Sequence, residues 1–145
     1  MAFTVRRPSP LTPAEAWAAV TDFAAHTAHV PLTTVSTDPG EPHLGWGVVA
    51  FTGVGSVGFK DSMHLTGWEP PHRFRVVKTG RLLVGWAEVS VEPDGPGSVV
   101  TWSEEIGLRA GALTGPTRRI GDLVAPRLFG PVVDGLLRDA EAATS

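Results

Sequence analysis

Cysteine and tyrosine are both absent from the 145 residues, and methionine occurs twice. The missing thiols exclude disulfides, thiolate zinc sites and a cysteine nucleophile together, and they fit a reducing, cytoplasmic setting. Basic residues are outnumbered 12 to 15 by acidic ones, the net charge is −3, and no basic run occurs. Nucleic-acid recognition needs a basic face, so no nucleic-acid partner is expected. No window approaches the roughly 18 apolar residues of a membrane span. Arg6-Arg7 is followed by Pro8 with no apolar stretch behind it, so neither a signal peptide nor a twin-arginine leader is expected. Internal repeats and low-complexity tails are also missing.

The composition that remains, 42% hydrophobic and 19% charged, is that of an ordinary globular chain. Its length predicts one domain over residues 1–145, large enough to bury a core without a staple. Phe3 and Val5 alternate with polar neighbours in a short strand that ends at Pro8. Thr12-Pro13-Ala14-Glu15 opens a helix: Thr12 suits the N-cap, Pro13 the first turn, and Glu15 the capping box. A second short helix is expected from Asp22, as cap, to about His29, with Pro31 ending it. From Leu32 the period becomes two, with strands over 32–37, 46–52, 57–68, 73–79, 82–92 and 98–108. The short Gly- and Pro-rich turns between them imply antiparallel hairpins. A helical stripe of Ile120, Leu123, Val124, Leu128, Val132 and Leu136 closes the chain within 116–143, after a hinge at Leu113 and Gly115. Pro126 and Pro131 predict a kink in it, and with the kink a lid that opens locally.

Alternation then sorts the faces. Phe59, Asp61, Met63 and Leu65 share one side of their strand, against Lys60, Ser62, His64 and Thr66. Phe74 and Val76 oppose Arg73 and Arg75. Gly85, Ala87, Val89 and Val91 oppose Glu88 and Ser90, and the small pair Gly85 and Ala87 is expected to leave space. Val100, Trp102, Ile106 and Leu108 oppose Thr101, Ser103 and Glu105. Two carboxylates, Asp61 and Glu104, therefore fall on an apolar face, where an unpaired charge is costly. They form a candidate acid/base pair, unless one of them meets Arg or Lys, or the register slips and Glu105 points inward.

Other groupings carry less. Asp22, His26 and His29 share a helical face at metal-ligand spacing but lack a fourth ligand, so no metal is expected. Gly53, Gly55 and Gly58 have no Lys-Ser/Thr pair after them and precede a strand, which favours a hairpin over a phosphate loop. Trp17, Trp46 and Trp68 read as packing residues and Trp102 as a wall of the interior. Asp134 and Arg138 read as a solvated i,i+4 pair.

The opening Thr12-Pro13-Ala14-Glu15-Ala16-Trp17-Ala18-Ala19-Val20 resembles the START-like SRPBCC superfamily, in its bacterial polyketide cyclase/dehydratase-like branch. So do Gly53-Val54-Gly55-Ser56-Val57-Gly58-Phe59-Lys60-Asp61-Ser62-Met63, Trp68-Glu69-Pro70-Pro71-His72-Arg73, Gly97-Ser98-Val99-Val100-Thr101-Trp102 and the terminal helix. The resemblance covers essentially the whole chain. It implies an α+β helix-grip: a seven-stranded antiparallel sheet wrapped around a long, kinked C-terminal helix, with two short helices after the first strand. It also implies a hydrophobic cavity between sheet and helix and a small hydrophobic ligand, aromatic or polyketide-like, with no cofactor. The expected wall is Phe59, Met63, Phe74, Val76, Trp102 and Leu123, with Asp61 and Glu104 as polar groups. A cyclase/dehydratase-type enzyme using Asp61 or Glu104 is the alternative, although the tyrosines some cyclase-type members use have no counterpart here. A protein-interaction or chaperone-associated module, which would need an exposed apolar patch, is a third reading.

Overall fold

Residues 2–108 and 133–144 are described by the structure, a computed structural model. Seven strands form one sheet: β1 (Ala2–Ser9), β2 (Thr33–Thr37), β3 (Gly47–Val54), β4 (Val57–Glu69), β5 (Arg73–Thr79), β6 (Leu83–Asp94) and β7 (Gly97–Leu108). Their order is β1-β7-β6-β5-β4-β3-β2, and every neighbouring pair is antiparallel. From β2 to β7 the chain is thus an antiparallel meander, with a longer connection over 38–46 between β2 and β3 and short turns after it. β1 and β2 lie on opposite edges, so the segment joining them must cross the full width of the sheet. That crossing is made by α1 (Pro13–Val20) and a 3₁₀-helix (Phe23–His29).

Both short helices start where capping chemistry places them. Thr12 Oγ1 accepts the Glu15 amide at 3.2 Å, with Pro13 following the cap. Asp22 Oδ1 accepts the Ala25 amide at 3.3 Å and caps the 3₁₀-helix. Each bond satisfies one backbone donor that the first turn leaves without a partner. Helix α1 buries Ala16, Trp17 and Val20.

The buried face of these helices feeds one aromatic cluster. Trp17 stands 5.2 Å from Trp68 and 5.9 Å from Phe74, while Phe23 stands 5.3 Å from Phe74 and 5.6 Å from Trp46. Tilted and edge-on contacts at such spacing add to area burial, by about 0.5–1.5 kcal/mol per pair. Trp17, Trp46 and Trp68 are packing residues, as their positions predict. A bulge between Leu65 and Gly67 lets β4 bend while Leu65 and Trp68 stay over Val76 and Phe74.

The final helix, α2, covers 133–144 and buries Val133, Leu136 and Leu137. Three polar contacts from two different parts of the chain pin it. Arg7 Nε donates to Asp134 Oδ1 at 2.6 Å, Ser9 Oγ donates to Glu141 Oε1 at 2.7 Å, and His29 Nε2 meets Asp139 Oδ2 at 2.9 Å. Asp134 therefore pairs with Arg7 of β1 and not with the Arg138 side chain one turn on. Arg138 Nε instead donates to the Asp134 carbonyl. Tertiary proximity to β1 wins over helical spacing. Ile120, Leu123, Val124, Leu128, Val132 and the prolines of the expected kink lie outside the described residues, as do Leu113 and Gly115.

The glycines of the β3–β4 hairpin are structural. Gly55 sits in the turn at φ +60°, while a Cβ on Gly53 or Gly58 would lie 2.2 Å from the carbonyl oxygen of Val57 or Thr52 respectively. Gly85 corrects the expectation of spare room. Its φ is +131°, and a Cβ there would lie 1.8 Å from the Glu105 carbonyl oxygen. The residue is glycine because the backbone of β7 is too close, not because a ligand needs the space. Gly85→Ala should therefore destabilise the protein by about 2–4 kcal/mol. The expected readout is a clearly lower urea midpoint at unchanged m; an unchanged midpoint would contradict this account of β6.

Candidate functional site

The inner face of the sheet is mostly apolar, with buried hydroxyls at Ser9, Thr33 and Ser98, and among the described residues its buried charged side chains gather at one place. Asp61 on β4, Lys78 on β5 and Glu104 on β7 meet there, all three buried. Lys78 Nζ lies 2.5 Å from Asp61 Oδ2 and 3.3 Å from Glu104 Oε1, with side-chain exposures of only 4%, 11% and 2% for Lys78, Asp61 and Glu104. Met63 Sδ, 3.8 Å away, takes a third contact from the ammonium. Trp102 Nε1 donates to Glu104 Oε2 at 3.1 Å. Sheet register explains the convergence. Lys78 pairs across the β4–β5 ladder with Met63, two residues from Asp61, and Glu104 pairs with Ala87 of the intervening strand β6. Ala87 is buried and short, so two long side chains can reach each other past it.

Alternation had already put Asp61 and Glu104 inside, and the register question at Glu104 and Glu105 is answered on the same parity. Glu104 points inward, while Glu105 is exposed and accepts from Trp86 Nε1 on the outer face at 3.2 Å. Lys78 is the residue that sequence reading missed. It has the parity of Phe74 and Val76, and two inward carboxylates call for a cation. That combination was the available signal. The two carboxylates do not form a bare acid/base pair: a lysine stands between them.

The electrostatics follow from one cation serving two anions. Burial acts most strongly on Lys78 and works to lower its pKa; attraction to Glu104 and Asp61, with hydrogen bonds to both, more than offsets it, so the pKa is raised above 10.5. Burial is also the largest influence on Glu104 and lifts its carboxyl above 4.5, opposed by Lys78 and the Trp102 hydrogen bond and assisted by Asp61. Lys78 remains an ammonium, and Glu104 holds a proton more strongly than an ordinary carboxyl. The second oxygen of Asp61, Oδ1, is buried without a hydrogen-bond partner among the described residues. A buried acceptor in that condition is uncommon and costly.

The remaining assigned residues divide. Phe74 and Val76 are buried, Phe74 within the aromatic cluster, and Trp102 is buried with its ring 5.9 Å from that of His26. Met63 is partly buried beside Lys78. Phe59 is 37% exposed, well up β4 toward the hairpin. Leu123 lies outside the described residues. Asp22, His26 and His29 do not act together: Asp22 caps, His29 reaches Asp139, and His26 Nε2 meets the Val20 carbonyl at 3.2 Å. Burial lowers the His26 pKa, more than that carbonyl contact raises it, so its neutral form is favoured. Large exposed apolar side chains gather at the hairpin end of the sheet, where Val54, Val57 and Leu32 lie beside one another, the Leu32 carbonyl accepting the Gly53 amide.

Comparisons with known proteins agree with this fold. The family described as polyketide cyclase / dehydrase and lipid transport matches residues 1–143. TTHA0849 of Thermus thermophilus superposes with a TM-score of 0.82 at 14% identity, over 100% of both chains. The Zhui aromatase/cyclase of Streptomyces sp. R1128 superposes at 0.81 and 14% identity, over 100% of this chain and 96% of that one. A START superfamily protein of Mycobacterium smegmatis gives 0.73 at 9% identity, over 95% and 97%. At such identities the likeness is one of fold. No curated protein matches the chain.

Two predictions test the cluster. Lys78→Met leaves two buried carboxylates without their cation and should cost about 3–5 kcal/mol in denaturant unfolding. Adding Asp61→Asn and Glu104→Gln to it should restore a large part, and no recovery would contradict the pairing. The second concerns pH. Because the folded pKa of Glu104 is raised, its penalty is absent below the unfolded value of 4.5 and grows as pH rises through the folded value. The stability of Glu104→Gln relative to wild type should therefore increase with pH across that window, and a flat difference would contradict it.

Proposed function

Because the chain belongs to the polyketide cyclase / dehydrase and lipid transport family, we propose that it binds a small hydrophobic molecule, aromatic or polyketide-like, between the concave sheet face and the C-terminal helix. The observation that carries this reading is the Asp61–Lys78–Glu104 cluster, the group of buried charged side chains among the described residues of a mostly apolar inner face. Binding sites for small molecules take this form: mostly apolar walls with a few fixed polar groups. Ion pairs are poor stabilisers of a core when apolar side chains can fill the same volume. A cluster of three charged side chains inside a sheet fold thus fits a role in recognition better than one in stability. In this reading Met63, Val76 and Trp102 flank the cluster, Phe74 backs it through the aromatic core, and Phe59 and Leu123 complete the wall. The interior belongs to a cytoplasmic protein with a diffusible ligand and needs no cofactor.

A proton-transfer enzyme of the cyclase/dehydratase type is the second reading, and the raised carboxyl of Glu104 favours it. A carboxyl whose pKa is lifted by an apolar setting is suited to exchange a proton with a bound substrate, an effect worth about 10²–10⁴-fold. Asp61, tied to Lys78, fits the role less well.

Native mass spectrometry of the purified protein tests binding. The expected result is a small-molecule adduct that disappears on denaturation, or uptake of an added bicyclic aromatic at one equivalent. Absence of both would overturn the reading. If catalysis accompanies binding, Glu104→Gln should abolish turnover of the bound molecule and leave its affinity nearly unchanged; turnover at the wild-type rate would eliminate the enzymatic reading.

A further inference from the structure

The polar cluster has an asymmetry with consequences for what it recognises. The Lys78 ammonium has three protons and three contacts: Asp61 Oδ2, Glu104 Oε1 and Met63 Sδ. Glu104 Oε1 meets Lys78 and Glu104 Oε2 accepts from Trp102 Nε1, the donor of that indole. The donors of the cluster are therefore all engaged. A ligand carbonyl or carboxylate arriving there finds no proton to accept. One acceptor of the cluster remains: Asp61 Oδ1, less than a tenth exposed with its residue and without a hydrogen-bond partner among the described residues.

We propose that Asp61 Oδ1 is the ligand-anchoring atom of the interior, and that it selects apolar molecules bearing a neutral hydroxyl, phenolic or enolic, over carbonyl-only and anionic ones. This rests on the ligand-binding reading given above. Three features of the site determine the class. The free group is an acceptor, so the ligand supplies the donor. The acceptor belongs to a carboxylate, and a hydroxyl donating to a carboxylate makes a short, strong hydrogen bond. Two carboxylates against one ammonium leave no positive excess, so an anionic ligand meets repulsion from Asp61 and Glu104 with no counterion to spare. A cationic amine is disfavoured from the other side, because Lys78 already holds the neighbouring oxygen of the same carboxylate at 2.5 Å. A neutral hydroxyl satisfies the orphaned oxygen without adding charge to a buried site. Loss of a donor aimed at a buried partner gives strong discrimination, since the partner stays unpaired when the wrong ligand binds.

The experiment uses three probes of similar ring size and the whole chain: 2-naphthol, 2-methoxynaphthalene and 2-naphthoate, each titrated by fluorescence or calorimetry near neutral pH. The hydroxyl assignment predicts that 2-naphthol binds about 10- to 100-fold more tightly than the methyl ether, the range of a hydrogen bond to a charged acceptor. The naphthoate should bind weakest. Equal binding of all three, or tightest binding of the naphthoate, overturns the role of Asp61 while leaving a binding interior. Binding of none of them overturns the binding reading itself, and the anchor with it. In Asp61→Asn the amide offers a donor in place of the free acceptor, so the preference for 2-naphthol over the ether should be lost or reversed; its retention overturns the assignment. If that variant does not fold, the wild-type protein still decides the matter. The Asp61 carboxyl carbon resonance should shift on adding 2-naphthol and stay in place on adding the ether, and an unmoved signal with 2-naphthol bound overturns the anchor.

Discussion

A lysine side chain buried in the middle of a sheet sets the terms for everything around it. An ammonium out of water is tolerable only with anions in contact, and Lys78 has Asp61 on the strand beside it and Glu104 two strands away. That demand fixes the parity of three strands at once. A one-residue slip in β4, β5 or β7 would turn one charged partner outward and leave the others buried without it. The cluster so acts on register specificity, whatever its net contribution to stability.

The rest of the inner face does the opposite work, excluding water by apolar bulk. Trp17, Phe23, Trp46, Trp68 and Phe74 join the crossing helices to the sheet, and Val133, Leu136 and Leu137 bury helix 133–144. Helix α2 is held at its flanks by polar contacts to β1 and the 3₁₀-helix, so its position reports on both edges of the crossing segment. His29 fits against Gly135 of α2, where a Cβ would lie 2.3 Å from its Nδ1. Outside, the convex face carries the opposite chemistry: Arg75 lies over Trp86 at 4.4 Å and pairs with Glu88 at 3.6 Å. Water screens those contacts, and they matter little to the interior.

Much of this was legible in the sequence, for identifiable reasons. Strands with strict alternation and glycine- or proline-marked ends came out within a residue or two, and both helix starts followed from Thr12 and Asp22. The inward positions of Asp61 and Glu104 came from parity alone. Lys78 did not, because a lysine near the end of a strand reads as solvent-facing unless its parity is carried through from Phe74 and Val76. Gly85 was misread because a close backbone approach leaves no trace in a one-dimensional pattern distinct from a space-making glycine. The partner of Asp134 was misread for a related reason: spacing within a helix says nothing of what the neighbouring strand brings to it. The orphaned oxygen of Asp61 was beyond any pattern, since it depends on which of two carboxylate atoms the lysine takes.

The central claim is that a charged lysine is locked between two carboxylates inside the sheet, one of them left with a spare acceptor. Selective ¹⁵N labelling of lysine and a pH titration of the Lys78 Nζ resonance test it most directly. The account predicts a single lysine whose ammonium protons exchange slowly and whose resonance stays that of the charged form past pH 10.5, the ordinary value for this side chain. A Lys78 resonance that titrates below that value, or exchanges as fast as that of an exposed lysine, would contradict the account.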